Sequence, residues 1–170
     1  ILNVLKEKVL DGVDVRIIYD DMGSHGTLSR KTKSKILKSG IKLLAYNKFV
    51  PIFNISLYFR DHRKIVVIDG QVGYTGGVNL ADEYINEKRM HGYWKDCGIK
   101  ICGSAVNTLT LAFLRQWQFL TKKPEDYSPF LTERSSETGS NIIIPFIDGP
   151  DYSEPIGRNA YINLISNAKE

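Results

Sequence analysis

Residues 62–79 read HRKIVVIDGQVGYTGGVN, with a β-branched apolar run on each side of the pair Asp69-Gly70. Asp-Gly between two such runs is typical of a hairpin turn. We therefore predict a strand over 64–68 and an antiparallel partner over 72–75. The unbroken apolar run of the first strand also predicts that it is buried on both faces.

The sequence before this hairpin predicts a second pair of strands, parallel to each other. A helical pattern ends near Asp11, and residues 13–19 (VDVRIIY) alternate as a strand. Ser29 is suited to cap a basic helix over 30–39, and residues 41–46 form the next strand. Strand, helix and strand at this spacing indicate a right-handed crossover, which joins parallel strands.

The sequence after the hairpin adds a strand over 95–102 and a long helix. Ser104 precedes a helical pattern whose apolar positions share one stripe: Val106, Leu109, Phe113 and Trp117. The aromatic run 49–59 predicts a further helix that begins at Pro51. Together these patterns predict an α/β fold, layered α/β/α, with a mixed central sheet that holds all the strands.

Charge and cysteine content narrow the function only slightly. The formal charge of +4 and pI near 9.0 fit an anionic partner such as a phospholipid headgroup or a nucleic acid, but many proteins without such partners are as basic. Cys97 and Cys102 lie on opposite faces of a predicted strand, so they are expected to remain reduced, partly buried thiols. No further Cys or nearby His completes a zinc site. No apolar run reaches the roughly 18 residues that cross a bilayer.

The polar residues of the hairpin suggest a phosphate site. On a regular strand His62 and Lys64 share one face, about 6.5 to 7 Å apart, so that Lys64 can neutralise a phosphate oxygen while His62 reaches the phosphorus. Asp69 falls on the opposite face, and we expect it to hold the turn. Gly77 with its neighbour Gly76 lets a ligand approach the backbone N–H groups closely.

Asn79 adds a neutral side-chain donor to this anion cradle. The combined pattern His-x-Lys-x4-Asp-x6-Gly-Gly-x-Asn, residues 62–79, closely resembles the signature of the phospholipase D superfamily. Gly77 stands where many nucleases and phospholipases of the superfamily carry Ser, which points to the cardiolipin synthase branch. Other positions resemble that branch as well, over nearly the whole chain: Arg16, Tyr19, Asp20, Arg60, Glu83, Tyr84, Trp94, Asp96, Gly103, Phe113 and Trp117.

The resemblance implies a two-step transfer that uses neither metal nor cofactor. One histidine attacks the phosphodiester and forms a phosphohistidine, while a second histidine protonates the leaving alkoxide. In cardiolipin synthases phosphatidylglycerol is both donor and acceptor, and glycerol leaves. Carried onto this chain, His62 is the nucleophile or its acid–base partner. Lys64, Gly77 and Asn79 bind the phosphate, and Asp69 is a structural support.

A nucleophilic imidazole also needs an acceptor on its other nitrogen, which fixes the tautomer. Members of the superfamily use a carboxylate shortly after the glycines, and Asp96 is the best candidate here. The alternative interpretation of Asp96 is an acid at the edge of a surface strand. Glu83 is the second candidate, although its place in an apparent helix favours a structural role.

A complete enzyme of this superfamily has two such motifs, and this sequence has one, because neither His25 nor His91 begins a second His-x-Lys. The resemblance therefore implies that residues 1–123 are the first catalytic half, truncated at its N-terminus. Residues 124–140 (PEDYSPFLTERSSETGS) are predicted to be a linker or surface loop. Residues 141–170, with a strand over 141–147 and then a helix, would begin a mostly missing second half. We expect both ends to have been cut from a longer chain.

The expected partners follow from the same resemblance. They are an anionic phospholipid (phosphatidylglycerol), a membrane surface, and a second motif from the parent chain or from a second copy. The parent is expected at the bacterial cell membrane, with this fragment soluble and inactive or weakly active. If water were the acceptor, the protein would be a phospholipase D-like or nuclease-type phosphodiesterase. A third interpretation is a catalytically silent fragment that binds phosphate. Nucleic acid is disfavoured, because no basic strip is interleaved with aromatic residues.

Overall fold

A computed structural model of the chain describes residues 1–48, 60–89, 92–133, 142–149 and 153–169. Its elements, in chain order, are α1 (Leu2–Leu10), β1 (Arg16–Asp20), α2 (Arg30–Lys38), β2 (Lys42–Tyr46), β3 (Ile65–Ile68), β4 (Val72–Gly76), β5 (Gly98–Cys102), α3 (Val106–Thr121), a 3-10 turn (Ser128–Phe130) and α4 (Ile156–Asn167). The helix predicted over 49–59 lies outside the described residues.

The α/β class is confirmed, with both parallel and antiparallel pairing. The strands of the described residues form two sheets, a parallel pair β1-β2 and an antiparallel triple β3-β4-β5, and not the single mixed sheet that was predicted. The chain divides into two compact units. The first consists of Ile1–His62 and Trp117–Lys123, and the second of Arg63–Gln116 and Pro124–Glu170.

The first unit contains the predicted crossover. Ser29 caps α2, because its hydroxyl accepts a hydrogen bond from the backbone N–H of Thr32 at 3.1 Å. Gly40 then ends the helix at φ +85°, a conformation that favours glycine. Strands β1 and β2 pair in parallel, as predicted, and the buried side chains of Ile36 and Ile41 form the core of this connection.

The second unit is organised by the hairpin of β3 and β4. Asp69 and Gly70 have φ values of 53° and 66°, and the N–H of Gln71 donates to the carbonyl of Ile68 at 3.0 Å. Two consecutive positive φ values inside this hydrogen bond are those of a type I′ turn, at the position where the hairpin turn was predicted. The turn fixes the antiparallel register, in which Ile65 lies opposite Thr75.

Strand β3 packs on α3 with one face, so its predicted burial on both faces is wrong. Ile65 and Val67 contact a cluster formed by Ile101, Val106 and Leu109. The alternate side chains of this strand are exposed in the described part of the chain: Val66 and Ile68. An apolar run fits a strand that is buried on both faces, but it does not supply a second layer to cover the other face.

Three other sequence predictions are wrong. Within the described residues, positions 142–147 belong to no strand, and Ile142 is 91% exposed. Both cysteines are free thiols, as predicted, but they are exposed rather than partly buried. Glu83 lies in a turn and not in a helix. The error at 142–147 has a clear cause, since a strand needs a neighbour to bond its backbone, and local sequence cannot provide one.

Part of the predicted loop 124–140 is hydrogen-bonded to α3 and to the hairpin turn of the same unit. Asn107 on α3 exchanges two hydrogen bonds with the backbone of Thr132, each 2.9 Å long. The hydroxyl of Thr132 donates to the carbonyl of Gly70 at the hairpin turn. Among the described residues, no helix is long and apolar enough to cross a membrane.

The turn at Gly70 gives the first testable prediction. A side chain at Gly70 would overlap the carbonyl group of Phe130, whereas one at Gly92, with φ +92°, would meet nothing within 4 Å. Both substitutions to alanine carry the strain of a positive φ, about 1–2 kcal/mol. Only Gly70→Ala must also displace the segment around Phe130. Urea unfolding should therefore give a larger loss of unfolding free energy for Gly70→Ala than for Gly92→Ala. Equal losses would contradict this packing.

Candidate active site

The segment that carries His62 is held by the carboxylate of Asp20. Oδ1 of Asp20 accepts hydrogen bonds from the N–H of Gly23 at 2.7 Å and from Nε of Arg60 at 3.0 Å. Oδ2 accepts from the backbone N–H of Asp61 at 3.0 Å. His62 follows directly and is exposed. The carboxylate therefore fixes the two residues that precede the predicted catalytic histidine.

This arrangement was not predicted from the sequence. Asp20 is the last residue of β1, which pairs in parallel with β2. Ligands and functional groups of α/β folds concentrate at the carboxyl ends of parallel strands, and this is the signal that could have found Asp20. Its partner Arg60 lies 40 positions further along the chain. Nothing in the local sequence indicates that the two meet.

Lys64 lies at one end of the antiparallel sheet, together with the paired glycines. Strand β3 begins at Ile65, one residue after its predicted start. His62 and Lys64 therefore lie before the regular strand, and strand geometry no longer supports the prediction that they share one face. The register places Ile65 opposite Thr75. Continued by one residue, the same register brings half-buried Lys64 level with Gly76.

Asp69 lies at the other end of the same hairpin. At roughly 3.3 Å per residue, five residues of extended chain separate it from Lys64 by about 16 Å. Its backbone adopts the positive φ that the turn needs. Asp and Asn tolerate that conformation better than most residues, which explains why Asp69 precedes Gly70. Its structural role stays a prediction.

Gly77 and Asp96 lie in direct contact. The N–H of Gly77 donates to the carbonyl of Cys97 at 3.1 Å, which extends the β4–β5 ladder past Gly76. The Asp96 carboxylate occupies the space where a side chain at position 77 would begin. A serine at position 77 would therefore have to displace this carboxylate, which accounts physically for the glycine.

The Asp96 carboxylate is oriented by two donors. Its Oδ1 accepts from the backbone N–H of Cys97 at 2.7 Å, and its Oδ2 accepts from the indole Nε1 of Trp94 at 3.3 Å. An ionised carboxylate has about four acceptor positions, so these bonds leave capacity for a further donor. Asp96 is exposed, and an imidazole N–H or water can reach such a group.

Asn79 belongs to a polar and aromatic cluster that the sequence did not reveal. Its amide nitrogen donates to the hydroxyl of Tyr84. The Tyr84 ring packs against Trp94, with centroids 4.7 Å apart and planes tilted by 54°. The side-chain amide of Asn86 donates to the carbonyl of Trp94 at 2.9 Å and accepts from the N–H of Trp94 at 2.7 Å. Asn79 and Asp96 are thus linked through Tyr84 and Trp94.

The second unit accordingly brings together four of the predicted site residues at one end of its sheet: Lys64, Gly77, Asn79 and Asp96. A cation and a side-chain amide are groups that bind phosphate oxygens in proteins. The N–H of Gly77, which was predicted to face the ligand, instead bonds the carbonyl of Cys97. Glu83 is half-buried in the turn that carries Tyr84. Among the described residues, no group of three His, Cys, Asp or Glu side chains is placed to hold a metal ion.

Comparison with known proteins adds independent information. A family model described as "Cardiolipin synthase, PLD-like domain" matches residues 1–90. An uncharacterized protein of Streptococcus mutans is 40% identical over 171 residues, which cover all of this chain and 37% of that protein. A protein of Staphylococcus aureus (strain Mu50) named cardiolipin synthase is 37% identical, and one of Halalkalibacterium halodurans with the same name is 35% identical.

These matches cover the whole chain but only part of each relative. The chain corresponds to 35% of the Staphylococcus aureus protein and 34% of the Halalkalibacterium halodurans protein, so it spans about a third of the length of the curated relatives. No solved structure matches the chain. The family match includes His62, Lys64, Asp69, Gly77 and Asn79, while Asp96 lies beyond it.

The contact between Gly77 and Asp96 gives the second prediction. Gly77→Ala should push the carboxylate away from the Trp94 indole, because the added methyl group takes its place. In an NMR spectrum, the indole N–H signal of Trp94 should then move towards its position in Asp96→Ala.

Gly98→Ala is the matched control, since a side chain there would meet the Thr75 carbonyl oxygen at 3.5 Å, an ordinary contact. It should leave the Trp94 signal in place. If Gly77→Ala also leaves that signal unchanged, Asp96 is not held against Gly77 in solution.

Proposed function

The chain belongs to the cardiolipin synthase family of phospholipase-D-like domains, and from this premise we propose that it supplies one half of the active site of a phosphatidyltransferase that makes cardiolipin. The observation that supports the proposal is the end of the β3-β4-β5 sheet, where Asp96 contacts Gly77, Tyr84 and Trp94 link Asn79 to Asp96, and the strand register continued by one residue puts Lys64 level with Gly76. The phosphate-binding chemistry of these groups suits a phosphodiester substrate.

The proposed reaction has two balanced steps. In the first, a histidine nitrogen attacks the phosphorus of phosphatidylglycerol, so that a P–N bond forms and the P–O bond to the glycerol headgroup breaks. A second histidine gives its proton to the departing alkoxide, and glycerol leaves. In the second step, a hydroxyl of another phosphatidylglycerol passes its proton to the second histidine and attacks the phosphorus. The P–N bond breaks, and cardiolipin is released.

In this scheme His62 is either the nucleophile or the histidine that moves the proton. Its counterpart would come from a second motif, in the parent chain or in a second copy of this chain. Asp96 is proposed to accept a hydrogen bond from the attacking imidazole. Its remaining acceptor capacity supports that role, which Glu83 would otherwise take.

Lys64 and its neighbours would stabilise the charge that develops during transfer. The phosphoryl oxygens of a phosphodiester gain negative charge as the nucleophile approaches, and preorganised donors lower the barrier most where charge grows. Half-buried Lys64 supplies a cation, and Asn79 supplies the amide hydrogen that Tyr84 does not use. Gly77 leaves room for the Asp96 carboxylate. The proposed partners are anionic phospholipid and the membrane surface that presents it.

The third prediction separates the site residues by role in the full-length protein, assayed on vesicles that contain labelled phosphatidylglycerol. His62→Ala should reduce cardiolipin formation by about 10⁴-fold or more, because it removes the nucleophile or the proton-transfer group. Lys64→Ala should cost about 10²–10³-fold through uncompensated phosphate charge. Asp96→Asn should be milder, since it keeps the shape and one acceptor oxygen.

His25→Ala serves as the control, since it removes an exposed histidine that the proposed site does not use. Its activity should equal that of the unaltered protein. A His62→Ala variant that still makes cardiolipin would refute the proposal. Phosphatidic acid as the dominant product, without cardiolipin, would instead identify water as the acceptor and favour the phospholipase reading.

The fourth prediction concerns divalent metal ions. Lys64 and Asn79 would provide the charge compensation that Mg²⁺ provides in many other phosphoryl-transfer sites. Cardiolipin formation by the full-length protein should therefore persist in excess EDTA. Activity that vanishes with EDTA and returns with Mg²⁺ would contradict this mechanism.

A further inference from the structure

The carboxylate of Asp20 collects an unusual number of hydrogen bonds for a residue that none of the proposed chemistry uses. Three donors converge on it: the N–H of Gly23, the N–H of Asp61, and Nε–H of Arg60, which is shared between both oxygens. Its side chain is 11% exposed, and that of Arg60 is 34% exposed. Charge-assisted bonds of this kind are short and directional, and they fix geometry better than neutral ones.

The surrounding backbone is built to admit this ion pair. A side chain at Gly23 would lie 2.7 Å from Nη2 of Arg60 and 3.2 Å from Oδ1 of Asp20. Glycine at position 23 therefore leaves the space that the guanidinium occupies. Three separate parts of the first unit, the end of β1, the following turn and residues 60–61, converge on one carboxylate.

Asp20, at one end of this hydrogen-bond network, is held in place by the parallel sheet. Asp20 pairs with Tyr46 in the β1–β2 register, and the next residue, Asp21, donates its N–H to the carbonyl of Tyr46 at 3.1 Å. The other end of the network is the backbone that immediately precedes His62. The carboxylate thus ties the two residues before His62 to a rigid strand end.

We propose that Asp20, together with Arg60, is a positioning residue for His62, an inference that rests on the proposed function of that histidine. Asp20 touches neither substrate nor the reacting atoms. It holds residues 60 and 61 so that the His62 imidazole is presented in one place. Phosphoryl transfer requires in-line approach, and an error of about 1 Å in the position of a reacting group can cost about 10²-fold in rate.

A matched control lies at the opposite end of the same two strands. The carboxylate of Asp14 pairs with Nε of Arg16 at 2.9 Å and with Nζ of Lys42 at 2.8 Å. Burial alone would raise the pKa of Asp14, but its bonds to Lys42 and Arg16 outweigh that effect and hold the pKa below its ordinary value. Asp14 is thus also a carboxylate with two charged partners, but its bonds lie at the other end of the strands from Asp20.

The test compares Asp20→Asn, Arg60→Lys and Asp14→Asn in the full-length protein, with phosphatidylglycerol vesicles as substrate. Asp20→Asn replaces one acceptor oxygen by an NH₂ group. That donor would face the N–H of Gly23 or of Asp61, so one of these hydrogen bonds is lost. Its kcat should fall by about 10²-fold with KM nearly unchanged. Arg60→Lys keeps the charge but loses the shared Nε contact, and its loss should be smaller. Asp14→Asn should keep kcat and KM.

A second readout does not depend on turnover. In NMR spectra, the ring signals of His62, assigned by their loss in His62→Ala, should shift in Asp20→Asn and stay in place in Asp14→Asn. Equal kcat for Asp20→Asn and Asp14→Asn, or unmoved His62 signals, would overturn the positioning role. If the unaltered protein makes no cardiolipin while the His62 signals shift as expected, the proposed function fails and the positioning of His62 stands.

Discussion

The register of one β-hairpin determines where the candidate phosphate-binding groups lie. Asp69 and Gly70 both adopt a positive φ, so the turn between β3 and β4 has a single tight geometry and a fixed pairing. Continued by one residue beyond Ile65 and Thr75, that pairing brings Lys64 level with Gly76. The β4–β5 ladder then places Gly77 beside Cys97 and hence beside Asp96. A slip of one residue would turn every side chain of the strand to the other face and separate these groups.

Close contact, rather than charge alone, explains the composition of this end of the sheet. The Asp96 carboxylate fills the position of a missing side chain at Gly77 and is oriented by the indole of Trp94. Trp94 is in turn fixed by Asn86 and Tyr84, and Tyr84 bonds to Asn79. The glycine, the carboxylate and the amide are therefore parts of one packed arrangement. Each would lose its geometry if a neighbour were enlarged or removed.

Local patterns predicted the elements that local physics determines. The hairpin turn, the capped helix α2 and the apolar stripe of α3 each depend on residues that lie close together in the sequence. The hydrogen bonds between Asp20 and residues 60–61, and those between Asn86 and Trp94, join positions that no local pattern relates. The exposed face of β3 and the unpaired segment 142–147 were mispredicted for the same reason. Their surroundings depend on distant elements.

The central claim is that His62 takes part in covalent transfer of a phosphatidyl group, and trapping the intermediate tests it most directly. Full-length protein would be mixed with phosphate-labelled phosphatidylglycerol, quenched in alkali, which preserves the P–N bond, and its peptides mapped. The account predicts a labelled adduct on a histidine of the unaltered protein and much slower labelling of His62→Ala, because that variant lacks either the nucleophile or the group that protonates the leaving alkoxide. A His62→Ala protein that is labelled as fast as the unaltered one would contradict it, as would the absence of any histidine adduct.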